Sequence, residues 1–346
     1  MNEYPWTPLQ EMPFVLGDPV GEAEIRATAD DFQVDEVLGF DPDDEGEHLL
    51  LHIRKRDTNT HWLAGQLAKL AGIPSRDVSY AGMKDRHAVT TQWFSLRLVD
   101  KPEPDWRSLD PELIQVLAVH RHRRKLRRGS LRGNRFCLRL RQLNADPKQI
   151  EQRLQQLRDR GMPNYFGEQR FGRDYSNLTQ SDQLFSGRRH HIDRQLRGLM
   201  ISAVRSQLFN QVLAERIRIE SWHTPLQGDY YMLEGSRSGF VDDTEDPHLA
   251  TRCQQQDIHP SGPLWGRGRS PVSDEAATLE TRVLQPFADW RNGLEHVGLS
   301  QERRSLRVRL NSLEWCFTDE RDLMLDFFLP AGCFATVLLR ELISPA

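Results

Sequence analysis

The sequence has few cysteines, no long run of apolar residues and no spacing typical of metal ligands. The four cysteines are Cys137, Cys253, Cys316 and Cys333. They form no C-x-x-C pair, and their spacing fits neither a zinc site nor a disulfide framework. The longest apolar runs, such as residues 49–51, are far too short to span a bilayer, and residues 1–6 lack the basic and apolar regions of a secretory signal. We therefore expect a soluble, cytoplasmic protein with reduced thiols, no bound metal and no membrane partner.

The chain also lacks a net positive charge. Its 346 residues include 50 Asp and Glu against 46 Lys and Arg, which gives a formal charge of −4. Acidic residues cluster at 41–47 and 242–245, whereas residues 121–135 form a basic segment without any acidic residue. The eight cations of the basic segment are Arg121, Arg123, Arg124, Lys125, Arg127, Arg128, Arg132 and Arg135. Because a local field decides where a phosphate backbone docks, this segment favours RNA or another polyanion as a partner. The alternative is a solvated charged loop.

Hydrophobic periodicity predicts strands near both ends of the chain and long helices in its middle. The predicted strands lie at residues 31–36, 49–55, 77–80, 91–98, 135–141, 306–310 and 323–328. Thr60 is the predicted cap of a helix that ends before Gly72, and Asp146 is the predicted cap of a helix that ends before Gly161. Further helices are predicted at residues 192–217 and 334–342, and residues 222–274 are predicted to be mostly loop. This order predicts one discontinuous domain, residues 1–159 and 308–346, interrupted by an inserted domain at residues 160–307.

The segment most informative about chemistry lies between two predicted strands, at residues 80–92. A small Ala-Gly step leads into Lys84, Asp85 and Arg86, and a Thr-Thr-Gln step opens the next strand. A carboxylate between two cations has its ionised form stabilised and can act as a nucleophile. The same cations can bind a substrate phosphate. On spacing alone, the alternative is a surface loop whose charges compensate one another.

The motif AGMKDRHAVTTQ at residues 81–92 resembles the signature of the TruD family of tRNA pseudouridine synthases. Further segments resemble the family in the same order along nearly the whole chain. They are DFQVDE at 31–36, NT at 59–60, GNRF at 133–136, NYFGEQRFG at 164–172, RSQLFN at 205–210, GPLWG at 262–266, LPAGCFAT at 329–336 and LRE at 339–341. Met83 stands where the family frequently has Leu, which is an apolar exchange.

The resemblance implies an α+β protein. It implies a pseudouridine-synthase-like catalytic domain with a mixed, largely antiparallel sheet, an inserted α+β TRUD domain, and a cleft between them that holds Asp85. It also implies that uridine, typically uridine 13 of a tRNA, becomes pseudouridine with Asp85 as the nucleophile and without a metal or organic cofactor. Neither the residues nor the resemblance decides whether the aspartate attacks the ribose C1′ or assists elimination to a glycal.

The resemblance assigns substrate contacts to Phe32, Asn134 and Phe334. An amide can both donate to and accept from the edge of uracil, and phenylalanine faces can stack on a flipped base. The alternative for each phenylalanine is an ordinary core position. Phe136 is a second candidate for packing beside Asp85. Lys84 and Arg86 are possible supporting residues that bind phosphate or orient Asp85, and Arg86 could equally pair with a nearby acid.

Two other functions remain open at this point. A non-catalytic RNA-binding protein would use the basic segment alone. A carboxylate-dependent nuclease would need several carboxylates to hold Mg²⁺, and the sequence shows no convincing cluster. Residues 164–172 come after the helix that begins at Pro147, and we expect a structural role for these residues. No obligate protein partner is indicated.

Overall fold

The computed structural model describes residues 5–99, 101–127, 129–185, 192–241, 247–319 and 321–345. Arg128 of the basic segment and the acidic cluster at 242–245 lie outside the described residues. The helices are α1 (Thr60–Leu70), α2 (Pro147–Arg160), α3 (Ser176–Phe185), α4 (Arg194–Arg218), α5 (Leu249–Gln254), α6 (Asp274–Leu284), α7 (Ala288–His296) and α8 (Ala335–Arg340). The first strands are β1 (Glu22–Ile25), β2 (Phe32–Leu38), β3 (His48–Arg56), β4 (Val78–Tyr80), β5 (Val89–Arg97), β6 (Ile114–His122), β7 (Leu131–Asn144) and β8 (Met162–Pro163). The remaining strands are β9 (Tyr230–Leu233), β10 (Gly239–Val241), β11 (Ile258–Leu264), β12 (Glu302–Ser305), β13 (Arg307–Val308), β14 (Glu314–Asp319), β15 (Asp322–Pro330) and β16 (Ser344–Pro345).

Packing divides the chain into two compact units. The sheet unit comprises residues 20–146, 311–332 and 343–346, and the helical unit comprises residues 1–19, 147–310 and 333–342. Helix α2, which the sequence analysis grouped with the catalytic part, packs in the helical unit. There Arg153 donates hydrogen bonds to the main-chain oxygens of Asp18 and Glu341. The division into a catalytic and an inserted domain stays a prediction.

The sheet unit is built on one mixed sheet, and the expected α+β class is confirmed. Its strands run in the order β14-β15-β7-β2-β5-β3-β6, with β1 beside β7, β16 beside β1 and β4 beside β5. Strand β2 pairs with β5 in parallel, and β1 pairs with β16 in parallel. The other pairings in this sheet are antiparallel. Strands β1, β6, β14 and β16 of this sheet were not predicted.

Strand β7 shows how the alternating pattern is used. Phe136, Leu138 and Leu140 point into the core and are buried, as the period of two requires. The opposite face was predicted to be basic, but its arginines pair with carboxylates of the same unit. The three ion pairs are Arg135–Asp326, Arg139–Asp322 and Arg141–Asp31. The face is therefore locally neutralised, and Arg135 of the basic segment is not free for RNA.

Helix α1 covers one face of the sheet near β3 and β5. Its cap is Asn59 rather than the predicted Thr60, because Asn59 Oδ1 accepts hydrogen bonds from the main-chain N–H groups of His61 and Trp62 at 2.8 and 3.2 Å. The helix buries Leu63 and Leu67 against the sheet core. Gly72 follows its end with φ of 61°, as a glycine C-cap does.

The helical unit surrounds the long helix α4, which was predicted within two residues at its start. A sheet of order β10-β9-β11-β12 and the short pair β13–β8 complete this unit. Residues 222–274 are mostly loop in their described part, as predicted, but the prediction missed four short elements within them, β9, β10, α5 and β11. Strand β11 includes Pro260 and Pro263, which hide its strand character in the sequence. Strand β13 is also shorter than predicted. No helix in the described ranges is long and apolar enough to cross a membrane.

Candidate active site

The loop between β4 and β5, residues 81–88, carries Asp85 and is held by buried polar side chains. Gln92 Nε2 donates a hydrogen bond to the main-chain oxygen of Gly82 at 2.6 Å. Thr60 Oγ1 lies 3.0 Å from Gln92 Oε1, to which it donates, and it accepts from the main-chain N–H of Lys84 at 3.2 Å. Thr60 and Gln92 are fully buried. Buried side chains with satisfied hydrogen bonds are held in one arrangement. Thr60 and Gln92 therefore fix the path of the loop at Gly82 and Lys84, just before Asp85.

Lys55 is a functional candidate that the sequence analysis missed. Its side chain is 1% exposed, and Nζ donates to the main-chain oxygens of Thr58 and Asp85 at 2.6 and 3.2 Å. Burial, and then the neighbouring Lys84 charge, lower the pKa of Lys55 to about 8, while Asp85 and Glu36 oppose the shift. Lys55 thus fixes the backbone of the proposed nucleophile.

Glu36 and Lys84 form a second charged contact beneath the loop. Lys84 Nζ lies 2.6 Å from Glu36 Oε1, with side chains 9% and 0% exposed. Glu36 Oε2 also accepts from the main-chain N–H of Trp93 at 2.9 Å. Burial raises the pKa of Glu36, and the Lys84 charge and the Trp93 N–H oppose that shift. Lys84 therefore faces the sheet and anchors the residue that precedes Asp85.

Asp85 itself is partly exposed and contacts one arginine. Arg26 Nη2 lies 2.6 Å from Asp85 Oδ2, with side chains 29% and 36% exposed. Arg26 follows β1 with φ of 63°, in the left-handed region that non-glycine residues rarely adopt. Its guanidinium carbon lies 3.8 Å from the centroid of the Phe32 ring. The sequence analysis did not single out Arg26, and the backbone turn that aims its side chain has no local signal.

The structure brings Phe32, Phe136 and Asn134 to one face of the sheet. Cross-strand pairing sets Phe32 opposite Leu138, and Asn134 opposite Glu36, so all four share a face. The rings of Phe32 and Phe136 meet edge to face at 6.4 Å. Both rings are nearly fully buried, and Arg26 covers a face of Phe32. Phe32 therefore supports Arg26 here, and its direct contact with a base stays a prediction.

Asn134 presents an unmet polar atom on this face. Its Oδ1 is buried and has no hydrogen-bond partner among the residues that the structure describes. Buried polar atoms are rarely left unpaired, and an exception calls for a ligand or a water. An amide in this state fits the prediction that Asn134 binds the edge of a uracil.

The remaining predicted residues are Phe334 and Arg86. Phe334 belongs to the helical unit, where it precedes α8 and is half-buried. Arg86 is exposed, and its side chain has no partner within the described part of the chain. In those same ranges, no three His, Cys, Asp or Glu side chains come together as a metal site would require.

The charged groups around Asp85 hold its carboxylate in a fixed position, as a reaction at that carboxylate requires. Three cations, Arg26, Lys55 and Lys84, surround two carboxylates, Asp85 and Glu36. The Glu36–Lys84 pair compensates itself, which leaves Arg26 and Lys55 to hold Asp85 through its side chain and its backbone. Asp85 Oδ1 accepts no hydrogen bond from the described residues, so one carboxylate oxygen is fixed while the other can react.

Comparison with known proteins points to one family over nearly the whole chain. The profile described as tRNA pseudouridine synthase D (TruD) matches residues 12–180 and 175–342. A tRNA pseudouridine synthase D from Nitrosococcus oceani is 51% identical over 330 residues, covering 94% of this chain and 92% of that protein. A tRNA pseudouridine synthase D from Methylococcus capsulatus is 46% identical over 345 residues, covering 99% and 98%.

A solved structure shares the fold. The crystal structure of a proposed tRNA pseudouridine synthase D from Methanosarcina mazei aligns with a TM-score of 0.73, covering 96% of this chain and 95% of that one. Its sequence identity is 18%, so this likeness bears on architecture alone.

Proposed function

The chain belongs to the tRNA pseudouridine synthase D family, and we propose that it converts uridine 13 of a tRNA to pseudouridine with Asp85 as the nucleophile. Pseudouridine formation in tRNA, an isomerisation, follows from the family. The target position and the catalytic aspartate are the proposed steps. The cytoplasm, where tRNA matures, is the proposed place of action.

The observation that carries the proposal is the state of the Asp85 carboxylate. Arg26 holds Oδ2 at 2.6 Å, Lys55 holds the main-chain oxygen of Asp85, and Oδ1 stays available. Isomerisation breaks the bond between uracil N1 and ribose C1′ and forms a bond between uracil C5 and C1′. The proton leaves C5, and N1 is protonated in the product, so no atom is gained or lost. Asp85 either attacks C1′ or assists elimination to a glycal, and both routes need this free oxygen.

The face around Asp85 has groups that fit a flipped uridine. A base that leaves its stack needs edge hydrogen bonds and an apolar surface. Asn134 Oδ1 can accept from the uracil N3–H, and its amide N–H₂ can donate to a uracil oxygen. Phe136 and Phe32 form the apolar floor. Phe334 is proposed as a further substrate contact, and Lys84 and Arg86 are proposed as supporting residues.

The test is Asp85→Asn, which is nearly isosteric and removes the charge of the nucleophile. We expect no pseudouridine, with tRNA affinity close to that of the parent. Asp57→Asn is the matched control, because Asp57 is an exposed carboxylate in the neighbouring loop whose one ion pair within the described ranges is with His87, at 3.7 Å. Turnover by Asp85→Asn at the parent rate would exclude Asp85 as the nucleophile.

The target position and the chemistry can be checked in the same assay. A tRNA with cytidine at position 13 should bind but gain no pseudouridine, and modification elsewhere in it would contradict the proposed target. Because Asp85 is the proposed reactive group, turnover on prefolded tRNA is expected to survive EDTA. Binding without isomerisation by the parent protein would favour the RNA-binding alternative instead.

A further inference from the structure

Residues 164–172 of the helical unit form a segment whose backbone is pinned from two sides. The Asn210 side chain accepts from the main-chain N–H of Phe166 at 2.8 Å and donates to the main-chain oxygen of Phe166 at 3.0 Å. Asn164 Nδ2 donates to the main-chain oxygen of Ser305 at 2.7 Å. These hydrogen bonds fix the start of the segment in one conformation. The segment also carries side chains that have no role in the proposed mechanism.

This segment supports Phe334. A Cβ atom on Gly167 would lie 2.9 Å from Phe334 Cδ1 and 3.0 Å from Cγ. The Phe334 ring therefore lies directly against the Gly167 backbone, in space that a side chain at position 167 would occupy. Phe166 meets the same ring edge to face at 6.2 Å. Phe334 is consequently held in one place while part of its surface remains exposed.

Arg170 lies beside these rings and has no carboxylate partner among the residues that the structure describes. Its guanidinium carbon is 5.5 Å from the Phe166 centroid and 6.0 Å from the Phe334 centroid. Nη1 donates to Ser202 Oγ at 3.1 Å, whereas Nε is buried without a hydrogen-bond partner among the described residues. Burial lowers the pKa of Arg170.

Two buried arginines of the helical unit, Arg216 and Arg303, do have carboxylate partners. Arg216 makes two bonds of 2.8 Å to the carboxylate of Asp229. Arg303 makes bonds of 2.7 and 3.0 Å to the carboxylate of Glu280. A guanidinium fork is completed by a planar anion, and these two arginines have one within the protein. Arg170 is the contrasting case.

A second cation makes the surroundings of Arg170 still more positive. The guanidinium carbon of Arg304 lies 4.1 Å from the Phe166 centroid, so Phe166 contacts both arginines. Burial, and also the neighbouring Arg170 charge, lower the pKa of Arg304, while Cys333 opposes this. Two like charges this close favour the binding of an anion.

We propose that Arg170 binds a backbone phosphate of the RNA next to a nucleotide whose base contacts Phe334. This inference rests on the proposed function, because it assumes that Phe334 contacts substrate. The phosphate would complete the guanidinium fork, which no carboxylate of the described residues occupies. Gly167 and Phe166 hold Phe334, and Arg170 sets the register of the strand beside it, so base and phosphate are recognised together.

The experiment measures tRNA binding across a salt series with Arg170→Gln made on the Asp85→Asn background, where turnover does not intervene. Losing one phosphate contact should lower the slope of log affinity against log salt by about 0.7 and weaken binding roughly tenfold or more at low salt. Arg173→Gln is the matched control, since Arg173 is three residues away, 96% exposed, and loses the same charge. The control should leave the slope unchanged.

A chemical arm identifies the phosphate. Target RNAs with one uncharged methylphosphonate linkage at successive positions near the target uridine are bound to the parent and to Arg170→Gln. One linkage should weaken the parent and have no further effect on the variant. A folded Arg170→Gln with the parent slope, or one that loses affinity at every linkage as the parent does, would overturn the proposal.

Arg170→Lys keeps the test decisive if Arg170→Gln does not fold. It retains the charge, and hence the slope, but cannot form the fork, so its penalty at the critical linkage should fall below that of the parent. The full parent penalty in Arg170→Lys would exclude a fork contact. Failure of the proposed function is distinguishable, because it would show as turnover by Asp85→Asn and not as a change in these slopes.

Discussion

Arg26 Nη2 lies 2.6 Å from Asp85 Oδ2, and the same guanidinium covers the Phe32 ring at 3.8 Å. The left-handed backbone of Arg26, with φ of 63°, aims the side chain at the carboxylate. Strain of this kind persists where the surrounding structure enforces it, often at functional sites. Phe32 thus contributes to the position of Asp85 through Arg26.

Arg26→Gln should lower kcat much more than it changes KM, because it frees the Asp85 carboxylate to rotate. A hydrogen bond to a charged group contributes about 1.5–3 kcal/mol, which corresponds to a loss of roughly 10- to 150-fold. Arg26→Lys keeps the positive charge, so its kcat should lie between those of the parent and of Arg26→Gln. Steady-state pseudouridine formation measures both constants. A variant with normal kcat and raised KM would mean that Arg26 contacts substrate instead.

Lys55 should make stability rise with pH on the alkaline side. Its pKa is lowered from 10.5 to about 8 in the folded protein. Below pH 8 both states are protonated, and folding bears the full cost of the buried charge. Between pH 8 and 10.5 only the unfolded state holds the proton, so the free energy of unfolding increases with pH by up to about 3 kcal/mol.

Lys55→Met is the comparison for this prediction, since it removes the titrating group from the same site. Urea unfolding of both proteins from pH 7.5 to 10.5 measures the difference. The free energy of unfolding of the parent should increase relative to that of the variant as the pH rises over that range. If the free energies of unfolding of the two proteins changed in parallel with pH, Lys55 would have the same pKa in the folded and unfolded states, which would contradict the prediction.

The buried Glu36–Lys84 pair should be strongly coupled. Lys84→Met leaves the Glu36 charge buried without its partner, which costs roughly 3–5 kcal/mol. The double variant Glu36→Gln, Lys84→Met removes both charges and should recover much of that loss. Unfolding free energies of the two single variants and the double variant give the coupling. Additive losses would contradict a direct interaction between the two side chains.

Much of this site could be predicted from the sequence because its signals are local. The loop with Lys84, Asp85 and Arg86 lies between two recognised strands, and the strand patterns around Phe32 and Phe136 are regular. Strands and loops of this kind are specified by residues close together in the sequence, so the sequence alone is enough to locate them.

Lys55 and Glu36 show what was missed and what signal exists. Lys55 continues the buried positions Leu49, Leu51 and Ile53 of β3, and Glu36 continues those of β2. A charge on an inward face predicts a buried contact, but its partner depends on strand register, which the pattern does not contain. Arg26 depends on one unusual backbone turn and could not have been inferred.

The basic segment is less free than its composition indicates. Arg123 pairs with Glu45, and its main-chain N–H donates to Asp43 Oδ2 at 3.1 Å. Lys125 Nζ donates to the main-chain oxygen of Arg76 at 2.8 Å. The acidic residues at 41–47 therefore cover part of the segment. A cavity of about 520 Å³ remains, and its lining includes Arg124 and Arg127.

Arg124 and Arg127 should supply the salt-dependent tRNA affinity of this segment, since neither side chain has a partner among the described residues. Each phosphate contact contributes about 0.7 to 0.9 to the slope of log affinity against log salt, so Arg124→Ser with Arg127→Ser should flatten it by about 1.4 to 1.8 if both bind phosphate. Arg123→Ser should change the slope less, because Glu45 already holds its charge, and Glu45→Gln should raise affinity. Fluorescence anisotropy with tRNA over a salt series measures all three. An unchanged slope in a folded double variant would move the RNA path to another surface, whereas a full loss in Arg123→Ser would show that RNA displaces Glu45.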